Sequence, residues 1–376
     1  MRFVIFTHSL VSDWNHGNAH FLRGIASELI SRGHQVDIYE PVDGWSRQNL
    51  LREQGTGPLR DFSLKYPLLK STLYEENTLD LDEALRDSDV TIVHEWNTPS
   101  LVATIGRHRR RHDYQLLFHD THHRVLTDRA GISNYDLSEY DGVLAYGRVI
   151  RDAYLSNGWA RRAWTWHEAA DVRVFHPLAN VQKDGDLVWV GNWGDNERAD
   201  SLREFLIIPV KSLGLKTRVY GVRYPTEALA ELDDAGIEYC GWLPNYAVPD
   251  VFSRHRITVH VPRRPYVQAL PGIPTIRPFE AMACGIPLIS APWHDAETLF
   301  NPGRDFLFAQ NGEEMTRTLE RIVSEPQLAS TLAAHGLRTI SDRHTCAHRV
   351  DELFGFLETP ANAGEDKCKL HFSVQA

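Results

Sequence analysis

Cysteine is scarce in this sequence and never paired. The four residues, Cys240, Cys284, Cys346 and Cys368, are scattered, which leaves no zinc or disulfide framework and suits a reducing compartment. Long hydrophobic runs are also missing: no window approaches 18 apolar residues, so no membrane-spanning helix is expected, only at most a peripheral membrane contact. The opening MRFVIFTHSL is too short an apolar run for a signal peptide and is broken by His8, so a cytoplasmic location is expected. An excess of positive charge is absent as well. The formal net charge of −10 makes the surface as a whole repel a polyanion, which argues against nucleic acid as the partner. Nor is there an internal repeat beyond two alternating halves. What remains is a chain of 376 residues with 42% hydrophobic and 24% charged residues, ordinary for a soluble protein of two or three domains.

The first half alternates strand and helix patterns. Phe3 to Phe6 is a short apolar run suited to a strand buried on both faces. A polar loop, SDWNHGN, follows, and then Phe21, Leu22, Ile25, Leu29 and Ile30 recur at helical spacing before Gly33 and a strand at Val36 to Tyr39. Strands are predicted again at Val90–Val93, Leu116–Phe118, Gly142–Ala145 and Ala163–Trp166, with helices from about Ser100 and over 149–158. Residues 42–88 fit the alternation less well and are read as helices and loops. A polar linker, ANVQKDGD, precedes a second series with strands at Leu187–Val190, near Arg218–Tyr220 and Glu238–Tyr239, and at Thr258–Val261 and Leu288–Ile289. Two helices over 312–340 and one over 345–358 end the pattern, and the polar tail 359–376 is expected to be disordered. Such alternation implies parallel sheets covered on both faces, an α/β architecture.

In open parallel sheets ligands bind beyond the carboxyl ends of the strands. Leu187–Val190 runs into GNWGDNERAD, where Gly191 and Gly194 permit close backbone approach and a helix begins near Asn196 or Asp200. Free N–H groups at such a helix start can hold phosphate oxygens, and Arg198 adds a positive charge. Arg223 follows the next strand, and Arg263 and Arg264 follow another; cations in these places could stabilise a leaving diphosphate. In the first half, His16, Asn18 and His20 lie in the first loop, His94 and Glu95 follow a strand, and FHDTHHR spans 118–124. His16, His119 and Asp120 are the candidate general bases. No metal-ligand set is identifiable. The DLD at 80–82 and the DGD at 184–186 read as caps or turns, RHRRRH at 107–112 as a solvated helix end, and most tryptophans as core, with Trp14 and Trp193 in cleft loops.

The most informative stretch is RPFEAMACGIPLIS, 277–290. Pro278 suits a first helical turn, Glu280 to Ala283 continue it, Gly285 and Pro287 end it, and Leu288–Ile289 begin a strand. A carboxylate near a helix start that faces a cleft can grip vicinal hydroxyls. This phrase, together with GNAHFLRGIASELISRGH, resembles the glycosyltransferases of the GT-B fold, and within them the bacterial spore-maturation CgeB-like group, over most of residues 1–358. The resemblance implies two Rossmann-like domains facing across a cleft: an acceptor domain over 1–178, a nucleotide-sugar domain over 179–344, and a helix, 345–358, crossing back to the first domain. It implies that Glu280 holds the ribose of a nucleotide-diphosphate-sugar donor. Gly191, Asn192, Arg198, Arg223, Arg263, Thr275, Ile276 and Arg277 are the other donor contacts. The expected activity is a metal-independent hexosyl transfer, without a cofactor, to a carbohydrate, protein or small-molecule acceptor. Two departures stand out. The usual arginine and lysine pair on the diphosphate loop is not clearly present, and Gly272 stands where many such enzymes carry a first glutamate. The alternatives are a sugar-nucleotide epimerase on the same fold and a non-catalytic nucleotide- or glycan-binding protein.

Overall fold

The computed structural model describes residues 1–358; the tail expected to be disordered lies outside the described residues. The first sheet has seven parallel strands in the order β3-β2-β1-β4-β5-β6-β7. They are β1 (Arg2–Phe6), β2 (Gln35–Pro41), β3 (Ser71–Tyr74), β4 (Val90–His94), β5 (Gln115–Asp120), β6 (Gly142–Ala145) and β7 (Ala163–Thr165). The second has six, in the order β10-β9-β8-β11-β12-β13: β8 (Gly185–Val190), β9 (Thr217–Tyr220), β10 (Ile237–Tyr239), β11 (His255–His260), β12 (Leu288–Ser290) and β13 (Leu307–Phe308). The central strands are the apolar runs. Phe3, Val4, Ile5 and Phe6 of β1 are all buried, in register with Val36–Tyr39 on one side and Val90–Val93 on the other. Burying each such side chain contributes about 1.5–3 kcal/mol, so these runs fix which strands lie innermost.

In each sheet the strand order reverses once, between β1 and β4 and between β8 and β11. A crevice opens at such a point at the carboxyl ends of the strands. The two crevices face each other, because polar side chains from the loops of one sheet bond to those of the other. Asp13 accepts from Trp242 Nε1 at 3.2 Å and from the Asn245 N–H at 2.9 Å.

Residues 42–88 contain the expected helices, Trp45–Gln54 and Gly57–Lys65, but also the edge strand β3, which pairs with Ile38–Pro41. The last helix, Cys346–Leu357, leaves the second domain and lies on the first-domain helix Ala19–Ser31. Trp166 Nε1 donates to Arg349 O at 2.8 Å, Gln115 Nε2 donates to Leu357 O at 2.9 Å, and a Cβ on Gly24 would overlap Cys346 Sγ. The crossing expected of the final helix is present. The outgoing and returning segments run side by side: Ala170 N donates to His344 O at 2.9 Å, and Cys346 N donates to Ala170 O at 3.0 Å. Of the two Asp pairs read as caps and turns, Asp80 caps Glu83 N at 3.1 Å and Asp186 accepts from Lys216 N at 3.0 Å.

Candidate functional site

The second-domain half is built from three strand-end loops and one helix start. After β8, Gly191 packs backbone to backbone against Gly221, where a Cβ would overlap the Gly191 carbonyl oxygen. This close approach holds Asn192 at the crevice. Its carbonyl accepts from Arg198 at 3.1 Å and its Oδ1 from Arg263 at 3.1 Å, while its Nδ2 meets Asn15 of the first domain. Gly194 turns left-handed (φ 77°) into a 3-10 turn at Asp195–Glu197 and then the helix Ala199–Leu202. Arg198 stacks over Trp189 at 5.4 Å, its Nε has no partner, and it pairs with no carboxylate among the described residues. Burial and Arg263 push its guanidinium down to about 9. Because an arginine stays charged in proteins, that pressure amounts to an unmet demand for an anion. Arg277, from the helix Ile276–Ala283, adds its field to the same place, since it and Arg198 both depress His260 at the end of β11. Arg223 is placed differently: its guanidinium is half exposed and bonds Asp195 at 3.0 Å.

The Glu280 helix begins on a strained residue. Thr275 has φ +68°, rare for a branched side chain, and the first N–H groups after it, those of Ile276 and Arg277, have no helical carbonyl to bond. Glu280 itself is 0% exposed. Its Oε1 accepts from Asn245 Nδ2 at 2.7 Å and from His20 Nδ1 at 2.9 Å, and Oε2 pairs with Arg277. The Asp171 N–H donates to His20 Nε2 at 2.7 Å, which assigns the imidazole proton to Nδ1 and makes it the donor to Glu280. Burial acts to raise the Glu280 carboxyl, but Arg277, His20 and Asn245 together bring it below the ordinary range. A carboxylate has about four acceptor positions, so roughly one remains, on Oε2. Gly272 has φ +94°, and a Cβ there would lie 2.6 Å from Glu297 Cγ. A side chain at Gly272 would displace Glu297, which bonds His167 Nε2 at 2.9 Å and Arg148 N at 2.7 Å.

The first-domain half is rich in imidazole. His8 lies 4.0 Å from His16 and 5.3 Å from His94, and His94 lies 5.2 Å from His119. His16 bonds Ser9 O at 3.1 Å and is held well below the imidazole range by burial, His8 and Arg23. His119 is wedged against Trp166 and Phe21, and burial pulls it down to about 3. Asp120 accepts from Tyr154 Oη at 2.7 Å and from His122 N at 2.9 Å. Glu95 accepts from Thr121 Oγ1 and Arg124, each at 2.9 Å. Burial raises both carboxyls, Asp120 to about 6 and Glu95 to about 8, and Asp120 adds to the shift of Glu95. One nitrogen of each of His8, His94, His119 and His122 has no hydrogen-bond partner.

Two residues at the centre carry no role in the sequence reading. Glu168, just after β7, is buried with Oε2 unpartnered, and burial followed by Glu280 raises its carboxyl well above the ordinary range. His260 bonds Ser290 Oγ at 2.9 Å through Nδ1 and leaves Nε2 unpartnered. Both sit at strand ends, the position that could have marked them. His20, expected beside an acceptor, reaches across to Glu280 of the second domain.

Residues 198–355 match a protein family described as glycosyl transferase-like. A search of curated proteins finds no match. Among solved structures, an alpha-glucosyltransferase in complex with UDP-glucose and DNA containing an abasic site superposes with a TM-score of 0.68 at 13% identity, covering 96% of this chain and 100% of that one. Anabaena Alr3699/HepE in complex with UDP and glucose gives 0.65 at 13%, covering 95% and 99%. The sucrose-phosphate synthase of Thermosynechococcus elongatus gives 0.64 at 14%, covering 95% and 98%. The chain therefore has the GT-B fold, and its second domain carries the sequence pattern of a glycosyl transferase-like family.

Proposed function

We propose that this protein is a glycosyltransferase that moves a hexosyl group from a nucleoside-diphosphate sugar to an acceptor hydroxyl, without a metal ion. One observation carries the reading. Arg198, Arg263 and Arg277 come from three separate segments to one place at the start of the Glu280 helix, and Arg198 there has no carboxylate partner. A diphosphate supplies the missing anion, and the free N–H groups of Ile276 and Arg277 add donors for it. Cations in this arrangement stabilise the charge that develops on the leaving diphosphate, the task a metal performs elsewhere. The remaining acceptor position of Glu280 takes one ribose hydroxyl; taking two requires His20 or Asn245 to let go. Because His20 belongs to the first domain, donor entry and domain movement are coupled in this scheme.

His119 and Asp120 are engaged by packing and hydrogen bonds, which supports transfer in which the donor phosphate, rather than a first-domain side chain, removes the acceptor proton. Activity surviving in His16→Asn, His119→Asn and Asp120→Asn separately is the expected result. The two phrases RPFEAMACGIP and GNAHFLRGIASELISRGH support placing the chain in the CgeB-like branch. Since the HepE and alpha-glucosyltransferase structures hold UDP or UDP-glucose, uridine is the first base to test. The experiment is a thermal-shift panel of nucleoside diphosphates and their sugars, followed by product analysis with the stabilising donor. A panel in which no nucleoside diphosphate raises Tm removes the donor site.

A further inference from the structure

The two tryptophans expected in cleft loops, Trp14 and Trp193, are both closed off. They are 3% and 4% exposed; Trp14 Nε1 donates to Glu53 at 2.7 Å, and Arg203 covers Trp193. Among the described residues only Trp45 and Trp96 are well exposed, at 55% and 42%. Trp45 follows β2 and packs on Trp14. Trp96 follows β4, where the strand order of the first sheet reverses. The loops after the two neighbouring strands, β1 and β5, bring His8 to 6.1 Å and His122 to 5.0 Å from it, both steeply inclined to the indole. An indole left open at such a crevice is a flat apolar surface that the fold itself does not use.

The ring is held from behind. The Arg124 guanidinium stacks 4.0 Å from its centroid, and Arg124 is itself fixed by bonds to the carbonyl and Oε2 of Glu95, at 2.9 Å each. One face is thus covered, and the exposed area belongs to the other. The charge of Arg124 is met by Glu95, so the platform does not call for an anion. The two imidazoles beside it are unsatisfied. No hydrogen bond among the described residues reaches either ring, and one nitrogen of each is buried without a partner. Burial and Arg124 lower His8 to about 3, and burial, His123, Arg124 and Arg263 lower His122 to about 2. Both rings are therefore neutral, each with one N–H and one lone pair. A hydroxyl, donor and acceptor at once, answers both.

A ligand with an apolar face and a rim of hydroxyls fits this surface, and a pyranose ring is such a ligand. We propose that Trp96 is the platform of the acceptor subsite, with His8 and His122 beside it, and that the acceptor is an uncharged sugar. The assignment rests on the reading of the second domain as the donor half. His122 joins the two: the field of Arg263, which bonds Asn192 Oδ1 at 3.1 Å, reaches it, so a sugar on Trp96 lies beside the place given to the diphosphate. In transfer, a hydroxyl oxygen of that sugar bonds the anomeric carbon of the donor. The bond from that carbon to the diphosphate breaks, and the hydroxyl proton leaves on the diphosphate.

The test is saturation-transfer NMR of the full-length protein with the methyl glycosides of glucose, mannose and galactose, with and without UDP, in wild type, Trp96→Ala and Trp96→Phe. Calorimetry follows UDP binding in the same three proteins. At least one glycoside is expected to bind wild type, with a Kd about tenfold weaker in Trp96→Ala and close to wild type in Trp96→Phe, which keeps a ring. UDP affinity should stay within about twofold in both variants. Methyl glucuronide, which adds a carboxylate, should bind no tighter than methyl glucoside, and phenol, which has no rim of hydroxyls, should not displace the glycoside. Equal glycoside affinity in wild type and Trp96→Ala, no glycoside binding to wild type, or tighter binding of the glucuronide or of phenol overturns the platform. Failure of UDP to bind wild type removes the donor site instead, and the titrations without UDP still judge Trp96.

Discussion

Arg198 should serve binding at the expense of stability, and Arg198→Met separates the two. In the protein without ligand, this guanidinium is half-buried, lacks a partner for Nε, and suffers the field of Arg263. Among the described residues its only acceptors are the carbonyl and Oδ1 of Asn192, at 3.1 and 3.5 Å. Methionine keeps the stem and its packing on Trp189 while removing the charge. Unliganded Arg198→Met is therefore expected to melt at the wild-type temperature or a few degrees above it; for a domain of this size about 1 kcal/mol corresponds to roughly 2–4 °C. Binding of a nucleoside diphosphate should move the other way. A hydrogen bond to a charged group contributes about 1.5–3 kcal/mol, so losing it weakens Kd by about 10- to 100-fold. Arg223→Ala, which removes a half-exposed arginine already bonded to Asp195, should change Kd by no more than a few fold. The assays are thermal melting without ligand and calorimetric titration with UDP. Equal losses of Tm and affinity would make Arg198 an ordinary structural residue, and unchanged affinity would remove the cation cluster from the donor site.

Glu280→Gln keeps the shape of the buried carboxylate but leaves Arg277 without its charge partner; breaking such a buried pair should cost about 3–5 kcal/mol in urea unfolding, and a loss below about 1 kcal/mol would show that the pair is not buried in solution. Glu168 gives a pH signature: its folded carboxyl is raised, so the native state holds a proton that the unfolded chain releases above the ordinary carboxyl range. Stability from this group is full at low pH and is lost as pH climbs toward the folded value, so Glu168→Gln should gain on wild type at pH 8 but not at pH 4; a pH-independent difference between them contradicts the assignment. Gly24→Ala places a methyl against Cys346 Sγ and 2.9 Å from Asp171 Cβ, and overpacking of this kind costs about 1–3 kcal/mol, measured as a shift in the urea midpoint. A neutral Gly24→Ala would mean that the last helix packs more loosely than described.

Legibility followed the density of local signal. β1 and β4 are unbroken apolar runs, and RPFEAMACG is bounded by a proline and a glycine, so period and punctuation located them. β3 escaped because STLY has Thr72 and Leu73 exposed at a sheet edge, and β13 because a two-residue strand has no period at all. The carboxylate of Glu280 was readable from its helix, but its partners were not. Asn245, 35 positions away, comes from another loop of the same domain, and His20, 260 positions away, reaches Glu280 only because the first domain lies against the second. Glu168 was hidden for a related reason: its segment, HEAADVRVFHP, reads as a domain exit, although the first residues after β7 share the strand-end position of every other site loop.

The returning final helix also sets an order of assembly. Its contacts with Phe3, Trp166 and the Ala19–Ser31 helix belong to the first domain, yet roughly 180 residues separate it from the end of β7. At about 5–20 residues per second, a ribosome needs some ten to forty seconds to cover that distance. During that interval the second domain is still being made, while the first domain, already synthesised, lacks a piece of its own surface. The first domain thus cannot close its own surface until nearly all of the second has been made.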